Sequence, residues 1–412
     1  MIKTKTPTSR SSASFSNSPL AWLGGLTPKQ FMHRHWQKKP MLVRGAFPHW
    51  QSKERADRPI DQEDVFKLAE RDELSVRFVD NSYSVRHGPF RRRQLPSLKK
   101  PGWTILVQQT NTLWPQAEAF LDHFRFVPNC RLDDLMVSLA SDQGGIGAHV
   151  DSYDVFLIQA FGHRRWEIAE TFRPELRPDL DLKILKTFKP EASYDMQPGD
   201  LLYLPPGVAH RGIALGTGCM TYSVGFRAPN RLEIADASFI AHLSELADSP
   251  WQDPWLESTD SPSRLPKRLL KNMTDQVMAC LPTREHIENQ VIAGLSEPAP
   301  MVYFTPPTGP CTKSKVRFRT YLQTGGAIYL CLGSRVVVTD NQVAINGEFF
   351  ELSSLAKAQR QRVGTGFEIL GEQRLLDAKY CNAIASDPVI LEIFFKIYLA
   401  GFIGLLEKNK RS

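Results

Sequence analysis

Between residues 20 and 230 the chain is built of short apolar runs broken by Gly, Pro and aromatic residues, a pattern that predicts strands rather than helices. In GAHVDSYDVFLIQAFGHRRWEI, residues 147–168, Val155 to Ile158 form a β-rich run. Gly162 then breaks the pattern before Trp166 and Ile168 resume it, so the segment predicts a buried hairpin. Leu201 to Leu204 predict a further strand between the turns Pro198-Gly199-Asp200 and Pro205-Pro206-Gly207. Many short strands of this kind predict a barrel or sandwich. At Arg231 the period changes. Ile234, Phe239, Ile240, Leu243 and Leu246 fall on one helical stripe, and RLLKNMTDQVMACL predicts another helix after a Pro-, Ser- and Trp-containing insert at 249–266. SEPAPMVYFTPPTGP, residues 296–310, carries five prolines and predicts a linker. Beyond it, residues 327–352 alternate like strands, with turns at Gly333-Ser334 and Asp340-Asn341. Two helical stretches follow, the apolar one from Pro388 to Leu406 reading as a buried C-terminal helix, so this end predicts a small α+β module.

Composition narrows the class. With 412 residues, 42% apolar and 23% charged, the chain is long enough for two or three soluble globular domains. No apolar run reaches membrane-spanning length, which predicts no membrane span. Six scattered cysteines show no paired spacing, arguing against a zinc or dithiol motif and for a reducing, cytoplasmic setting. Residues 1–20 are rich in Ser, Thr and Lys without an apolar core, so they predict a disordered tail rather than a secretory signal; an organellar transit peptide is the weaker alternative. The net charge of +7 is unevenly placed: the first sixty residues hold eleven Lys or Arg against two acids, and RHGPFRRRQLPSLKK (86–100) holds no acid. This basic N-terminal face suits RNA phosphates, and equally a solvated surface.

The chemistry begins at the mouth of the predicted hairpin. His149 and Asp151, at i and i+2 on an extended chain, point to one face and can hold a common divalent metal. PPGVAH delivers a third candidate, His210, from the turn after Leu204. Two histidines and one carboxylate leave three positions open on non-haem Fe(II). An oxygenase using 2-oxoglutarate fills two with the keto acid and one with O2, and then needs a cation for the distal carboxylate. Arg164 and Arg165 are the candidates; alternation along a strand lets only one face inward.

At this point the sequence resembles a known family. HVDSYDVFLIQAFGHRRW, GDLLYLPPGVAH, YSVGFRAPN, WQKKPMLVRGAF and DDLMVSLASDQGGIGAH are similar to the bacterial JmjC-type ribosomal oxygenases, across roughly residues 20–408. The resemblance implies an α+β protein. A double-stranded β-helix (a JmjC, cupin-like barrel, 21–230) precedes a helical dimerisation region (231–295). The linker (296–310) then leads to a winged-helix-like module (311–412). It implies an Fe(II)- and 2-oxoglutarate-dependent dioxygenase that hydroxylates an arginine β-carbon of the sixteenth-numbered large-subunit ribosomal protein, releasing succinate and CO2. Position by position, His149, Asp151 and His210 match the iron ligands, Arg164 the co-substrate carboxylate site and Ser138 a residue lining the same pocket. Ala140 stands where the family tends to carry a second small hydroxyl residue. A cationic substrate favours acidic or aromatic groups at the mouth, and Asp142, Tyr153 and Asp154 are the nearby candidates; Asp154 serves equally well as a support for the hairpin. The implied partners are the ribosomal protein and a second copy of the chain. The rival readings are a histidyl hydroxylase of another ribosomal protein, a cupin metalloprotein that does not use 2-oxoglutarate, an adaptor on a degenerate barrel, and a DNA-binding C-terminal module.

Overall fold

A computed structural model of the protein describes residues 18–51, 58–308 and 313–406. Most of the expected disordered tail, the end of the expected linker and Cys311 lie outside the described residues. Ten strands build the first half: β1 (Met41–Val43), β2 (Val76–Asp80), β3 (Val85–His87), β4 (Trp103–Val107), β5 (Leu132–Ala140), β6 (His149–Val150), β7 (Val155–Ala169), β8 (Ala192–Met196), β9 (Leu201–Leu204) and β10 (Ala209–Phe226). All pair antiparallel, in the order β1-β9-β7-β10-β5-β4-β2-β3, with β6 on β10 and β8 on β7.

The two long strands explain the architecture. β7 and β10 pair along nearly their whole length, but the register slips where Leu215 faces His163 and Met220 faces Phe161. Before the slip β7 borders β9 and β10 borders β5; after it β7 borders β8, and the start of β10 borders β6. One pair of strands thus runs through both layers of a double-stranded barrel, a large layer and a four-stranded one. The expected hairpin is corrected here, because β7 continues unbroken through Gly162. That glycine sits at φ +64, and a Cβ there would lie 3.0 Å from the Cα of Cys219. It is the inner point of a bulge, and in sequence a bulge glycine and a turn glycine look alike.

The bulge also switches the facing of alternate residues. Before it Phe156, Ile158 and Ala160 enter the main core, while Val155 and Leu157 form a second cluster; after it Trp166 and Ile168 join that second cluster. The main core lies on the outer side of the large layer. It is covered by α1 (Pro28–Arg34), α2 (Gln62–Ala69) and α3 (Pro115–Phe120), which contribute Phe31, Val65, Leu68 and Phe120. Thr27 and Gln30 close α1 with a reciprocal capping box, and Asp61 and Asp64 do the same for α2.

Three helices follow: α4 (Arg231–Glu245), α5 (Lys267–Ala279) and α6 (Arg284–Ser296). They bury little. Ser238 and His242 are the buried residues of α4, Ser296 is the buried residue of α6, and α5 has none. The last module has its own core, formed by α7 (Lys315–Gln323), α8 (Lys357–Gln373), α9 (Ala378–Ala385) and α10 (Pro388–Leu399) with two three-stranded sheets. These sheets are β12 (Val336–Val338), β13 (Gln342–Ile345) and β14 (Glu348–Glu351), and β11 (Ile328–Leu330) between β15 (Leu375–Leu376) and β16 (Ile403–Leu405). Three helices therefore follow the strand pattern where two were expected. The apolar run from Pro388 ends its helix at Leu399, and after Gly401 at φ +81 it forms the edge strand β16.

The segment expected as a linker is packed against its neighbours over its described part. Ala299 is buried, Phe304 packs 5.1 Å from Phe402, and Ser296 Oγ accepts from Gly347 N at 3.0 Å. Its prolines hold an extended path against the last module rather than a free tether. That module also docks on the barrel domain: Arg374 donates to Glu118 at 2.9 Å with both side chains buried, and Arg335 to Asp133 at 2.8 Å.

Candidate metal and co-substrate site

The register of β10 assembles the site. His210 lies opposite His149 of β6 on one side and Ile168 of β7 on the other. Asp151 follows β6 in the chain, and its carboxylate oxygens stand 3.9 Å from His149 Nε2 and 3.6 Å from His210 Nε2. The ligand atoms of the three residues all lie within 4.8 Å of one another. Each imidazole is fixed from behind: Nδ1 of His149 faces the Gly147 carbonyl at 3.1 Å, and Nδ1 of His210 faces that of Val208 at 3.0 Å. Nδ1 must carry the proton to donate, which leaves both Nε2 lone pairs directed at the space beside Asp151. Burial and the nearby His149 push His210 down to about 4, so it is a neutral ligand at neutral pH. The donor set and its orientation fit Fe(II).

The approach to the first histidine is shaped by glycine. Gly147 sits at φ +84, and a Cβ there would stand 2.8 Å from Ile184 Cδ1. Any side chain at 147 would push away the segment 181–184 that closes one wall of the cavity.

The cavity encloses about 470 Å³, well within the range of small-molecule sites, and lies between the two layers. The small layer contributes His149, Arg164, Trp166 and His210; the large layer contributes Thr104, Leu106, Asp134, Met136, Ser138, Leu157 and Ser223. Arg164 is 4% exposed, and its Nε and Nη2 are buried without a hydrogen-bond partner. A buried guanidinium with unused donors needs an anion, and a carboxylate reaching in from the cavity supplies one. Arg165 faces the other way and pairs with Asp195 at 2.6 Å on the surface.

Ser138 lines the cavity and donates to the Thr221 carbonyl at 3.4 Å. The hydroxyl that Ala140 lacks stands next door in the register. Thr104, the β4 partner of Ala140, lines the cavity and its Oγ1 is buried without a partner. Of the three residues expected at the substrate mouth, Tyr153 alone lines the cavity. For Asp154 the contacts fit the support reading rather than the mouth: it is fully buried behind the site, accepting from Tyr203 Oη at 2.5 Å and from Gln37 Nε2 at 3.0 Å, so it anchors the β7 entry. Asp142 is corrected too, since it lies outside the cavity and its carboxylate accepts from Gly216 N at 2.7 Å.

Two further residues of the lining are chemically notable although the sequence did not mark them. Besides Thr104 there is Asp134, 8% exposed and 2.7 Å from the Gln109 amide. Burial first, and then the charge of Asp133, push its carboxyl up to about 7. A buried acid raised this far is poised to receive a cation, whose charge would restore the ionised form.

Comparison with known proteins agrees with this geometry. The JmjC domain signature matches residues 119–234. The chain is 31% identical over 324 residues to the ribosomal protein uL16 3-hydroxylase of Escherichia coli, covering 77% of this chain and 84% of that one. It is 24% identical to a bifunctional lysine-specific demethylase and histidyl-hydroxylase NO66 of Aedes aegypti, over 46% of this chain and 32% of that one. Among solved structures, the Escherichia coli ribosomal oxygenase YcfD in complex with cobalt and 2-oxoglutarate superposes with a TM-score of 0.75 at 27% identity, covering 93% of this chain and 99% of that one.

Proposed function

The chain belongs to the JmjC-type ribosomal oxygenases, and we propose that it hydroxylates the β-carbon of an arginine in the large-subunit ribosomal protein uL16. It is an Fe(II)- and 2-oxoglutarate-dependent dioxygenase, releasing succinate and CO2. The observation that carries the co-substrate assignment is the unpaired, buried Arg164 guanidinium in the same cavity as His149, Asp151 and His210. A cupin metalloprotein without a keto acid has no use for such a group.

Each residue then has a task. His149, Asp151 and His210 hold the iron, which supplies the oxidising chemistry for an unactivated C–H bond when 2-oxoglutarate and O2 are bound. Arg164 clamps the distal carboxylate of the co-substrate, with the Thr104 and Ser138 hydroxyls on the facing layer. Leu106, Leu157 and Trp166 line the walls, keeping water from the reacting carbon. Asp134 receives the guanidinium of the substrate arginine, and Tyr153 and Met136 flank its stem. No side chain has to move a proton; the contribution of the protein is position.

The remaining parts follow the same reading. Leu232, Ile240, Leu243, Leu270, Val277 and Met278 are all more than half exposed, which supports residues 231–295 as a dimerisation region. α7, α9 and α10 beside the sheet β15-β11-β16 support a winged-helix-like module over 311–412. Arg91, Arg93, Lys99 and Lys100 are exposed and support an RNA contact for the basic N-terminal face. Among the described residues no helix is long and apolar enough to cross a membrane. A ribosomal substrate places the activity in the cytoplasm.

The deciding experiment is mass spectrometry of uL16 from cells with and without the gene. A gain of one oxygen on a single arginine, lost in the deletion, is the expected result. An unmodified uL16 with an oxidised histidine elsewhere in the ribosome would replace the arginine reading with a histidyl one.

A further inference from the structure

We propose that His242, Glu245 and His286 form a second divalent-metal site, one that pins the end of α4 to the start of α6. These three residues are the other group of histidines and acids among the described residues whose ligand atoms lie within 4.8 Å of one another. His242 and Glu245, at i and i+3, share one face of the last turn of α4, and His286 comes from the first turn of α6. The two imidazoles meet edge to face, with ring centres 4.5 Å apart.

Three features distinguish this from a chance meeting of polar side chains. His242 is 9% exposed, on a helix that buries almost nothing else, and its Nδ1 is buried with no hydrogen-bond partner. An unsatisfied imidazole nitrogen in that position is costly, and a metal removes the cost. Behind His286 the Thr283 hydroxyl lies 2.6 Å from Nδ1, which leaves Nε2 as the free nitrogen of that ring. Such a backing group is what orients metal-bound histidine. Finally, the C-terminal end of α4 carries the negative pole of its helix, which favours a cation there.

Two imidazoles and one carboxylate suit zinc, with water as the fourth ligand. Tetrahedral zinc sets its ligands about 3.3 Å apart, so binding draws the two helix ends slightly together. The ion would order a region whose own core is too small to do so. The site is separate from the iron site and does not depend on the reading of that site.

The test uses tag-free, full-length protein carrying His149→Ala and His210→Ala, which removes the first site. After chelation this protein is titrated with zinc alone, gel-filtered and assayed for bound metal. One zinc per chain is expected, with a gain in thermal stability. Adding His286→Ala should abolish both. Because His242 is buried and its replacement could disturb α4, Glu245→Gln on the exposed side provides a second arm. With helicity unchanged by circular dichroism it should weaken zinc binding at least about tenfold, the scale that even outer-shell partners of metal ligands carry. No bound zinc in the parent, or equal affinity in the parent and the His286→Ala or Glu245→Gln proteins, overturns the proposal.

Discussion

The barrel and the helical region each bring two histidines and a carboxylate to within 4.8 Å, by opposite means. In the barrel, strands fix the histidines, backbone carbonyls lock both tautomers, and the surrounding core is continuous. In the helical region the cluster joins the ends of two helices that carry exposed Phe239, Ile240 and Leu243 on α4 and Ile287 on α6. The barrel closes its own core within one chain, whereas the helices leave apolar side chains exposed. The barrel site should therefore lose function without losing fold, and the helical region should change assembly without losing chemistry.

The largest expected effect tests the first half of that statement. His210→Ala should abolish succinate formation while the thermal melt stays close to that of the parent, because an open three-ligand site is a local feature of a rigid double layer. Succinate released at the parent rate by a folded His210→Ala protein would remove the assignment of the metal site. Arg164→Ala comes next. Loss of one member of a buried ion pair costs on the order of 3–5 kcal/mol, so the requirement for 2-oxoglutarate should rise by about two to four orders of magnitude. Arg165→Ala should leave that requirement unchanged, since its partner Asp195 is on the surface. Equal losses at both positions would mean that the facing of β7 after Gly162 is misassigned.

Asp134→Asn is a smaller and more selective change. A hydrogen bond to a charged group is worth about 1.5–3 kcal/mol, so kcat/KM for uL16 should fall roughly 10- to 100-fold. Succinate formed without substrate should be unaffected. The pH profile gives a second readout. With its carboxyl raised from 3.8 to about 7, Asp134 binds its proton more tightly in the folded state. Ionising it in the empty pocket therefore costs stability as pH rises through that window, whereas substrate affinity should grow as pH rises toward about 7 and then level off. Asn at 134 should flatten the affinity profile; an unchanged slope would place the titrating group elsewhere.

How much of this was legible follows from how local each signal is. HVD is a short motif whose spacing alone puts two ligands on one face, PPGVAH marks the third by its turn, and β-alternation alone says that one of Arg164 and Arg165 faces inward. Gly162 was ambiguous, because its role depends on residues 215–220 of the partner strand. Thr104 and Asp134 carry no local mark; only the strand register aims them into the cavity, and Asp134 sits beside Asp133 in what reads as a solvated pair. Asp154 was open between two readings, a pocket residue or a support for the hairpin; its closeness to the metal motif in sequence could not decide, and parity turns it toward Tyr203. The His242 cluster was illegible for a similar reason, since an i, i+3 pair needs a third group some forty residues away, and helix packing alone supplies it.

The last prediction concerns the helical half. Its apolar side chains fall on faces that the same chain leaves uncovered: Leu243 is 51% exposed, Val277 65% and Met278 60%. Burying such stripes against a second copy is worth roughly 25 cal/mol per Å² of apolar surface, and a two-fold axis lets one patch satisfy itself. A charge at the centre of that patch must be desolvated on association, which the interface cannot offset. Phe239→Asp with Leu243→Asp should therefore lower the mass measured by light scattering at micromolar concentration from about twice 46.6 kDa to that value. Neither substituted residue lines the barrel cavity, and the barrel core is closed without the helices. Succinate formation in the absence of uL16 should consequently be the same in dimer and monomer. A parent protein that already runs at 46.6 kDa would refute the dimer. A monomeric variant that loses metal binding would show instead that the barrel is not complete on its own.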